Sequence, residues 1–419
     1  MHHRDDQPDA QANDRPEAEP RHERVGRRLC LGGALLLILV GTLSLTFTCC
    51  RAPRRRVGLP PERTTPSFAS ARNVTVRLAA GIPQFTVTAF GPFRWKSTGD
   101  DGWERAGYGG TYTVSEIGGG IVIDGDSIPA RSLRLVARES VFKLNGRLYR
   151  GYLTISAGEE DGLVAMENLP LEDYVRGVVA AEMPARWPES ALRAQAVAAR
   201  TFALHRAMNT SGRRWLSRLD LAYRGVDGEA WRSDEAVRAT RGVFLMWDDK
   251  PLPAFFHSTC GGHTVSADSV FGGLDIPPLR GVKCDWCTDS KHYNWESTMD
   301  RDALARKLKA RGITRIKSLK TTGVDAFGRV EAVLINGEKR IPAAKFRLEA
   351  GAGRIKSTNF SVSVDGDDIV FSGHGWGHGV GLCQWGAHGL ASKGRSWRQI
   401  LNHYYPGAAI VQLDDVASR

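Results

Sequence analysis

The stretch Leu171-Glu-Asp-Tyr-Val-Arg-Gly-Val-Val-Ala-Ala-Glu-Met-Pro184 marks a change in the chain from strand-like to helical patterning. Its apolar face runs from Leu171 through Val175 and Val178 at helical spacing, which predicts a helix over 170–183. Glu182 follows Val178 by four residues and shares this apolar face. Pro184 disfavours helical backbone at the preceding residue, so the helix is expected to end there.

Glu182 is therefore a candidate general acid. An apolar face removes water from its carboxylate, and the helix C-terminus disfavours negative charge. Both effects raise the pKa, as an acid catalyst near neutral pH requires. The alternative is a Glu at a frayed helix end that accepts a hydrogen bond from a nearby backbone amide.

A second predicted helix, 188–207, is apolar nearly all round over residues 194–204. The polar residues of that segment are Gln195, Arg200 and Thr201. Arg200 is expected to be buried, and a buried guanidinium needs partners. Glu182, Glu172 or a bound ligand could be that partner, and a purely structural ion pair is the alternative.

The segments outward from these helices predict an α+β fold. Between residues 74 and 165, short alternating runs separated by Gly, Asp and Pro indicate a β-rich module that serves support or binding. After residue 166, strand-like pieces at 242–247, 254–258 and 369–372 mix with helical ones at 300–311 and 397–405. Since no regular βαβ alternation appears, α+β is favoured over a doubly wound sheet.

The composition is that of a globular protein. The 419 residues are 42% hydrophobic and 25% charged, with a formal net charge of +11. These values exclude a disordered, collagen-like or multi-span membrane chain, and the length suggests about two or three domains. Seven cysteines in a chain of this length exclude a small disulfide scaffold. The positive charge suits an acidic polymer, either nucleic acid or an anionic envelope surface.

The N-terminal region predicts a membrane anchor. Residues 1–28 are polar and are predicted to be a disordered cytoplasmic tail. Residues 29–48 carry no charge, which is long enough for a single transmembrane helix, assigned to 29–50. No small-residue cleavage site follows, and 51–73 is typical of a linker. The expected location is the cell membrane, single-pass, with an extracytoplasmic catalytic domain on the periplasm or cell-wall side.

A glycine-rich stretch over residues 373–389 predicts a ligand groove. Alternating glycines permit positive φ and close approach of backbone to a ligand. Their spacing does not match the nucleotide-binding pattern. Candidate groove residues are His374, His378 and Gln384. Trp385 could stack on a sugar ring in this groove but is expected in the core, and Cys383 is expected to be inert packing.

Two short knuckles predict a structural zinc site. Cys260-x-x-His263 and Cys284-x-x-Cys287 are separated by twenty residues, which is typical of zinc ligands. His257 is a rival ligand and also a candidate substrate-binding residue. A disulfide is the alternative, because an extracytoplasmic compartment permits one.

Three long motifs in this order resemble the stage II sporulation protein D (SpoIID/LytB) family. They are the stretch 171–184 with Ala194-Gln-Ala-Val-Ala-Ala-Arg-Thr201, the segment His257-Ser-Thr-Cys-Gly-Gly262, and Gly373-His-Gly-Trp-Gly-His-Gly-Val-Gly-Leu-Cys-Gln-Trp-Gly-Ala387. Tyr404-Tyr-Pro-Gly407 also fits. The similarity spans roughly residues 168–407, within a predicted catalytic domain over 166–419.

The resemblance implies lytic cleavage of peptidoglycan glycan strands stripped of stem peptides, giving 1,6-anhydro-N-acetylmuramic acid ends. It implies that Glu182 is the catalytic acid and that Arg200 is functionally required. Gln195 is a further candidate substrate-binding residue. Other family members, the amidase enhancers, bind peptidoglycan or a cell-wall amidase, so the partners implied are glycan strands and such an amidase. Because the positive charge is dispersed and no recognition motif occurs, no nucleic acid partner is expected.

Overall fold

The computed structural model describes residues 73–99, 102–137, 141–158, 162–209, 215–218 and 220–413. The predicted tail, membrane anchor and most of the linker lie outside the described residues. Every described element belongs to one compact unit. The α+β content agrees with the sequence prediction.

The N-terminal half is built on one large sheet. Its strands are β1 (Asn73–Ile82), β2 (Gln84–Ser97), β3 (Glu104–Ile117), β4 (Gly120–Ile123), β5 (Asp126–Ile128), β6 (Ser132–Ala137), β7 (Val141–Leu144), β8 (Arg147–Arg150), β9 (Tyr152–Ala157), β10 (Leu163–Pro170) and, after two helices, β11 (Leu216–Ser217). The order is β11-β1-β10-β9-β6-β2-β3-β4-β5, with β7 pairing β2 and β8. All pairings are antiparallel except β1 with β11. The predicted domain boundary at residues 165/166 falls inside β10.

Two helices follow the sheet, close to where the pattern predicted them. Helix α1 spans Leu171–Glu182 and begins after Pro170. Its first turn carries Glu172 and Asp173, whose negative charges the helix dipole stabilises at this end. It ends before Met183, whose backbone is extended as a residue preceding proline requires. Helix α2 spans Glu189–Asn209 and is buried along most of its length.

The remaining elements alternate irregularly between helices and short strands. In chain order they are α3 (Trp231–Ala239), β12 (Val243–Trp247), β13 (Lys250–Pro251), β14 (Phe256–His257), α4 (Ala267–Phe271), β15 (Asn294–Asp300), α5 (Arg301–Lys307), β16 (Leu319–Val324), β17 (Val330–Ile335), β18 (Lys339–Pro342), α6 (Ala343–Ala350), β19 (Phe360–Asp365), β20 (Asp368–His374), β21 (Leu382–Cys383), α7 (Gln384–Ser392), α8 (Trp397–Tyr404) and β22 (Ala409–Gln412). They form the sheets β13-β12-β22, β14-β21, β15-β20-β19 and β16-β17-β18.

Two hydrophobic cores organise these elements. The larger core joins the β-rich sheet to α1, α2, α7 and α8, so the β-rich part and the helices bury their apolar faces together. The smaller core lies within residues 295–371 and packs β15–β20 against α5 and α6. The glycine-rich stretch after β20 leads the chain back to the larger core, where β21 pairs in parallel with β14.

The prediction of a single-pass membrane protein is corrected. Across the described ranges, no helix combines the length and apolar character needed to cross a bilayer. The longest, α2, has four charged side chains: Glu189, Arg193, Arg200 and Arg206. The fold class and location inferred from a transmembrane helix are therefore not retained, and residues 29–50 lie outside the described part.

Candidate functional site

Glu182, the last residue of α1, is held by groups from distant parts of the chain. Its Oε1 accepts a hydrogen bond from the backbone N–H of Ala222 at 2.7 Å. Its Oε2 lies 3.5 Å from Nε2 of Gln384, which donates. The side chain is half-buried, so a ligand can reach it. The hydrogen bond from a backbone amide matches the alternative stated from the sequence, and the role of general acid stays a prediction.

Burial raises the pKa of the Glu182 carboxyl. The hydrogen bonds from Ala222 and Gln384 and the positive charge of Arg224 act in the opposite direction, since they favour the ionised form. Arg224 is exposed, and it supplies the guanidinium charge that acts on Glu182. The balance leaves a carboxyl that holds its proton at higher pH than an exposed Glu.

Gln384 reaches Glu182 because it is the first residue of α7. Cys383 caps this helix, and its Sγ accepts from the backbone N–H of Gly386. The Gln384 side chain is buried. The prediction placed Gln384 in a sugar groove, and the structure puts it directly beside the candidate acid, 202 residues away in sequence.

An aromatic cluster includes the residue that follows Gln384, and of its members the sequence singled out only Trp385, as a groove or core residue. Trp187, five residues after Glu182, meets Trp385 edge-to-face with ring centroids 4.9 Å apart. His388, one turn along α7, lies 4.8 Å from the Trp187 ring. Trp385 is partly buried and packs against the larger core, as predicted.

Arg200 lies in the core and pairs with Glu172. Its Nε and Nη2 donate to the two carboxylate oxygens at 2.8 and 2.7 Å. It also donates to the carbonyl oxygens of Val237 and Val243. Glu172 and Glu182 are ten residues apart on α1, which separates their backbone positions by about 15 Å along the helix axis. Of the partners proposed from sequence, the structure selects Glu172.

Gln195 is fully buried on α2. Within the described ranges, neither its amide oxygen nor its nitrogen has a hydrogen-bond partner. The structure shows it in the helix core and does not bring it into contact with Glu182.

His257 and His378 are brought together, with ring centroids 5.4 Å apart. Nδ1 of His257 donates to the carbonyl oxygen of Val380 at 3.1 Å. Nδ1 of His378 accepts from the N–H of Val380 at 3.0 Å. Burial lowers the pKa of His257 well below its usual value and that of His378 to about 4. Both rings are therefore neutral at physiological pH.

His374 lies apart from this pair. It is exposed at the end of β20, and its Nδ1 is 2.7 Å from Oδ1 of Asn294 on the neighbouring strand. His374 is thus exposed while His378 lies beside His257. The structure does not show the two residues lining one surface.

The cysteines converge, but the predicted histidine does not join them. Cys260, Cys284, Cys287 and Cys383 are all buried, and their sulfur atoms lie within 4.8 Å of one another. None of these four forms a disulfide. His263 instead stacks on Phe327 with ring centroids 3.6 Å apart and donates from Nδ1 to the Thr264 carbonyl. Cys383 takes the place expected for His263, although it comes from another motif.

Comparison with known proteins gives one family. A family model described as stage II sporulation protein (SpoIID) matches residues 159–247, a span that contains Glu182, Arg200 and Ala222. The chain is 32% identical to stage II sporulation protein D of Bacillus subtilis over 270 residues, covering 60% of this chain and 77% of that protein. An uncharacterized protein of Brachyspira hyodysenteriae is 32% identical over 281 residues, covering 66% and 75%.

An amidase enhancer of Bacillus subtilis is also similar. It is 28% identical over 358 residues, which cover 72% of this chain and 50% of that protein. The similar proteins therefore include both a stage II sporulation protein D and an amidase enhancer.

Proposed function

The chain belongs to the stage II sporulation protein D family, and from that premise we propose that it is a peptidoglycan lytic transglycosylase. It cleaves the β-1,4 bond between N-acetylmuramic acid and N-acetylglucosamine in peptide-stripped glycan strands. One observation carries the proposal. Glu182 is a reachable carboxyl whose pKa burial raises, held in place by Ala222 and Gln384.

The reaction needs one residue that first gives and then takes a proton. Protonated Glu182 donates its proton to the glycosidic oxygen as the bond from C1 to that oxygen breaks. The muramoyl C6 hydroxyl then attacks C1, and the Glu182 carboxylate accepts the hydroxyl proton. The 1,6-anhydro ring closes, N-acetylglucosamine leaves with the first proton, and Glu182 returns to its starting form.

The surroundings of Glu182 suit this sequence. An ordinary glycosidase uses two carboxyl groups. The proposed reaction needs only Glu182, on which the Ala222 amide, the Gln384 amide and Arg224 act. All three favour the ionised form that exists between the two proton transfers, while burial favours the protonated form at the start.

The aromatic cluster supports a sugar-binding surface at the same place. Trp385 follows Gln384 in sequence and is only partly buried. A partly exposed indole on the residue that follows Gln384 can stack on the apolar face of a pyranose ring. His257 and His378 are neutral and contribute as hydrogen-bonding or packing groups rather than as charges.

The test is to incubate the full chain with peptide-stripped glycan strands and to look for anhydromuramic ends by mass spectrometry. The wild type should produce them, and Glu182→Gln should bind the strands without producing them. Glu189→Gln is the matched control, because Glu189 is an exposed acid at the start of α2. Product from Glu182→Gln at the wild-type rate would remove this residue from the mechanism.

A second candidate function rests on the similarity to the amidase enhancer. In this alternative the chain binds peptidoglycan without cleaving it and stimulates a cell-wall amidase. Absence of anhydro ends with every variant, together with equal stimulation of an amidase by wild type and Glu182→Gln, would favour it.

A further inference from the structure

Four cysteines from three separate segments meet at one buried point. Cys260 follows β14, Cys284 and Cys287 form a knuckle, and Cys383 ends β21. We propose that their four thiolates bind one zinc ion as a closed structural site, which fixes Gln384 against Glu182. The metal assignment stands independently of the proposed function, and only its link to Gln384 rests on it.

The spacing of the sulfur atoms fits a metal better than a disulfide. Sγ of Cys260 and Sγ of Cys287 are 3.5 Å apart, whereas a disulfide bond is about 2.05 Å long. Zinc bound to four sulfurs at about 2.3 Å gives sulfur–sulfur distances of about 3.8 Å in a tetrahedron. Four sulfurs all within 4.8 Å of one another match that arrangement, and two disulfides would not require them to share one point.

Hydrogen-bond donors surround the sulfurs as they do around metal-bound thiolates. Cys383 Sγ accepts from the N–H groups of Cys260 and Gly386, each at 3.3 Å. The buried hydroxyl of Tyr404 is 3.1 Å from Cys284 Sγ. Outer donors of this kind orient ligands and stabilise their charge.

Arg329 is an independent sign of negative charge at this place. It is only 5% exposed, and its Nη2 donates to the carbonyl oxygen of Cys260 at 3.1 Å. Its other guanidinium bond goes to Oγ1 of Thr358, and within the described ranges no carboxylate forms a salt bridge with it. The charge of Asp325 acts favourably on this guanidinium, but a buried cation that no carboxylate contacts directly remains costly. Zinc with four thiolates carries two net negative charges and would supply a much stronger counter-charge beside it.

The cluster connects directly to the candidate acid through α7. Cys383 caps the helix whose first residue, Gln384, donates to Glu182. The knuckle packs closely on the same helix, since a Cβ at Gly386 would lie 2.7 Å from Cys284 Sγ. A Cβ at Gly389 would lie 2.1 Å from the carbonyl oxygen of Trp286. Loss of the metal should therefore loosen the start of α7.

The first test measures metal in the full chain and maps thiol protection. We expect about one zinc per chain by elemental analysis. Alkylation followed by peptide mapping should show Cys260, Cys284, Cys287 and Cys383 protected together and exposed together after chelation. A chain without metal in which these cysteines form disulfides would overturn the proposal, as would protection of only three of them.

Two variants separate this ligand set from the one that the sequence suggested. Cys383→Ser should lose zinc and shift the visible spectrum of the cobalt-substituted protein away from that of four thiolates. His263→Ala should keep both. Loss of zinc from His263→Ala, with zinc retained in Cys383→Ser, would make His263 the fourth ligand instead. If Cys383→Ser does not fold, the alkylation map of the wild type decides.

Hydrogen exchange tests the link to α7 without relying on activity. Chelation should speed exchange in peptides covering 382–392 by at least tenfold, while peptides covering β16–β18, in the smaller core, should not change. Unchanged exchange in 382–392 would refute the link to Gln384. If no glycan cleavage is found, the metal and exchange results still stand on their own.

Discussion

Arg200 and Glu172 form a two-pronged ion pair between α2 and α1, with the Arg200 side chain completely buried and that of Glu172 25% exposed. The pair joins α2 to the helix that ends in Glu182. The loss of either partner is therefore expected to act through stability.

The unequal exposure of the two partners predicts unequal costs. Glu172→Ala leaves a fully buried guanidinium unpaired and should lower the free energy of unfolding by about 3 kcal/mol or more. Arg200→Met leaves a carboxylate that water can partly reach, so its cost should be smaller. Urea unfolding measures both. Equal costs, or a larger cost for Arg200→Met, would contradict this account of the pair.

The pH dependence of cleavage should follow the protonation of Glu182. A general acid must hold its proton, so kcat/KM should fall as pH rises through the raised pKa of Glu182. Arg224 lowers that pKa by its positive charge. Arg224→Gln should therefore move the alkaline limb to higher pH, and high salt should shrink the difference because Arg224 is exposed.

Arg238→Gln is the control for this profile, since Arg238 is an exposed arginine that pairs with Glu235. Its alkaline limb should coincide with that of the wild type. A limb that moves to lower pH in Arg224→Gln would show that Arg224 does not stabilise the Glu182 carboxylate.

Glu167 should make the stability of the fold depend on pH. It is fully buried and accepts at Oε1 from the backbone N–H of Arg150 and from the Tyr223 hydroxyl. Burial raises its pKa from 4.5 to about 8. Since the folded state binds this proton more tightly than the unfolded state, its contribution is complete below pH 4.5 and is lost as pH rises towards 8.

Glu167→Gln tests that sign. At pH 7 the wild type should have lost about 3 kcal/mol through this group, and the neutral amide, which can keep both hydrogen bonds, should not. The difference in melting temperature between variant and wild type should grow from pH 5 to pH 8 in favour of the variant. A constant difference across that range would show that Glu167 is ionised in the fold.

The features that could be predicted from the sequence are those set by neighbouring residues, such as the ends of helices. The apolar period and Pro184 set the end of α1 and placed Glu182 at a helix C-terminus. The partners of Glu182 could not be predicted, because Ala222 contributes only a backbone N–H and carries no chemical signature. The same limit applies to the cysteine cluster. Spacing within a knuckle suggested His263 as its fourth member, while the fourth sulfur comes from Cys383, on the strand β21 that pairs with β14.

Gly386 on α7 should tolerate no side chain. A Cβ there would lie 1.8 Å from the buried Tyr404 hydroxyl oxygen and 2.7 Å from Cys284 Sγ. Gly386→Ala must displace the tyrosine, the knuckle or the helix, and it should lower the free energy of unfolding by about 2 kcal/mol or more. Gly353→Ala is the matched control, because nothing lies within 4 Å of its Cβ position. Chemical unfolding and zinc content should be measured for both variants. If Gly386→Ala were as stable and as rich in zinc as Gly353→Ala, the knuckle would not be packed against α7, and Gln384 would need another support.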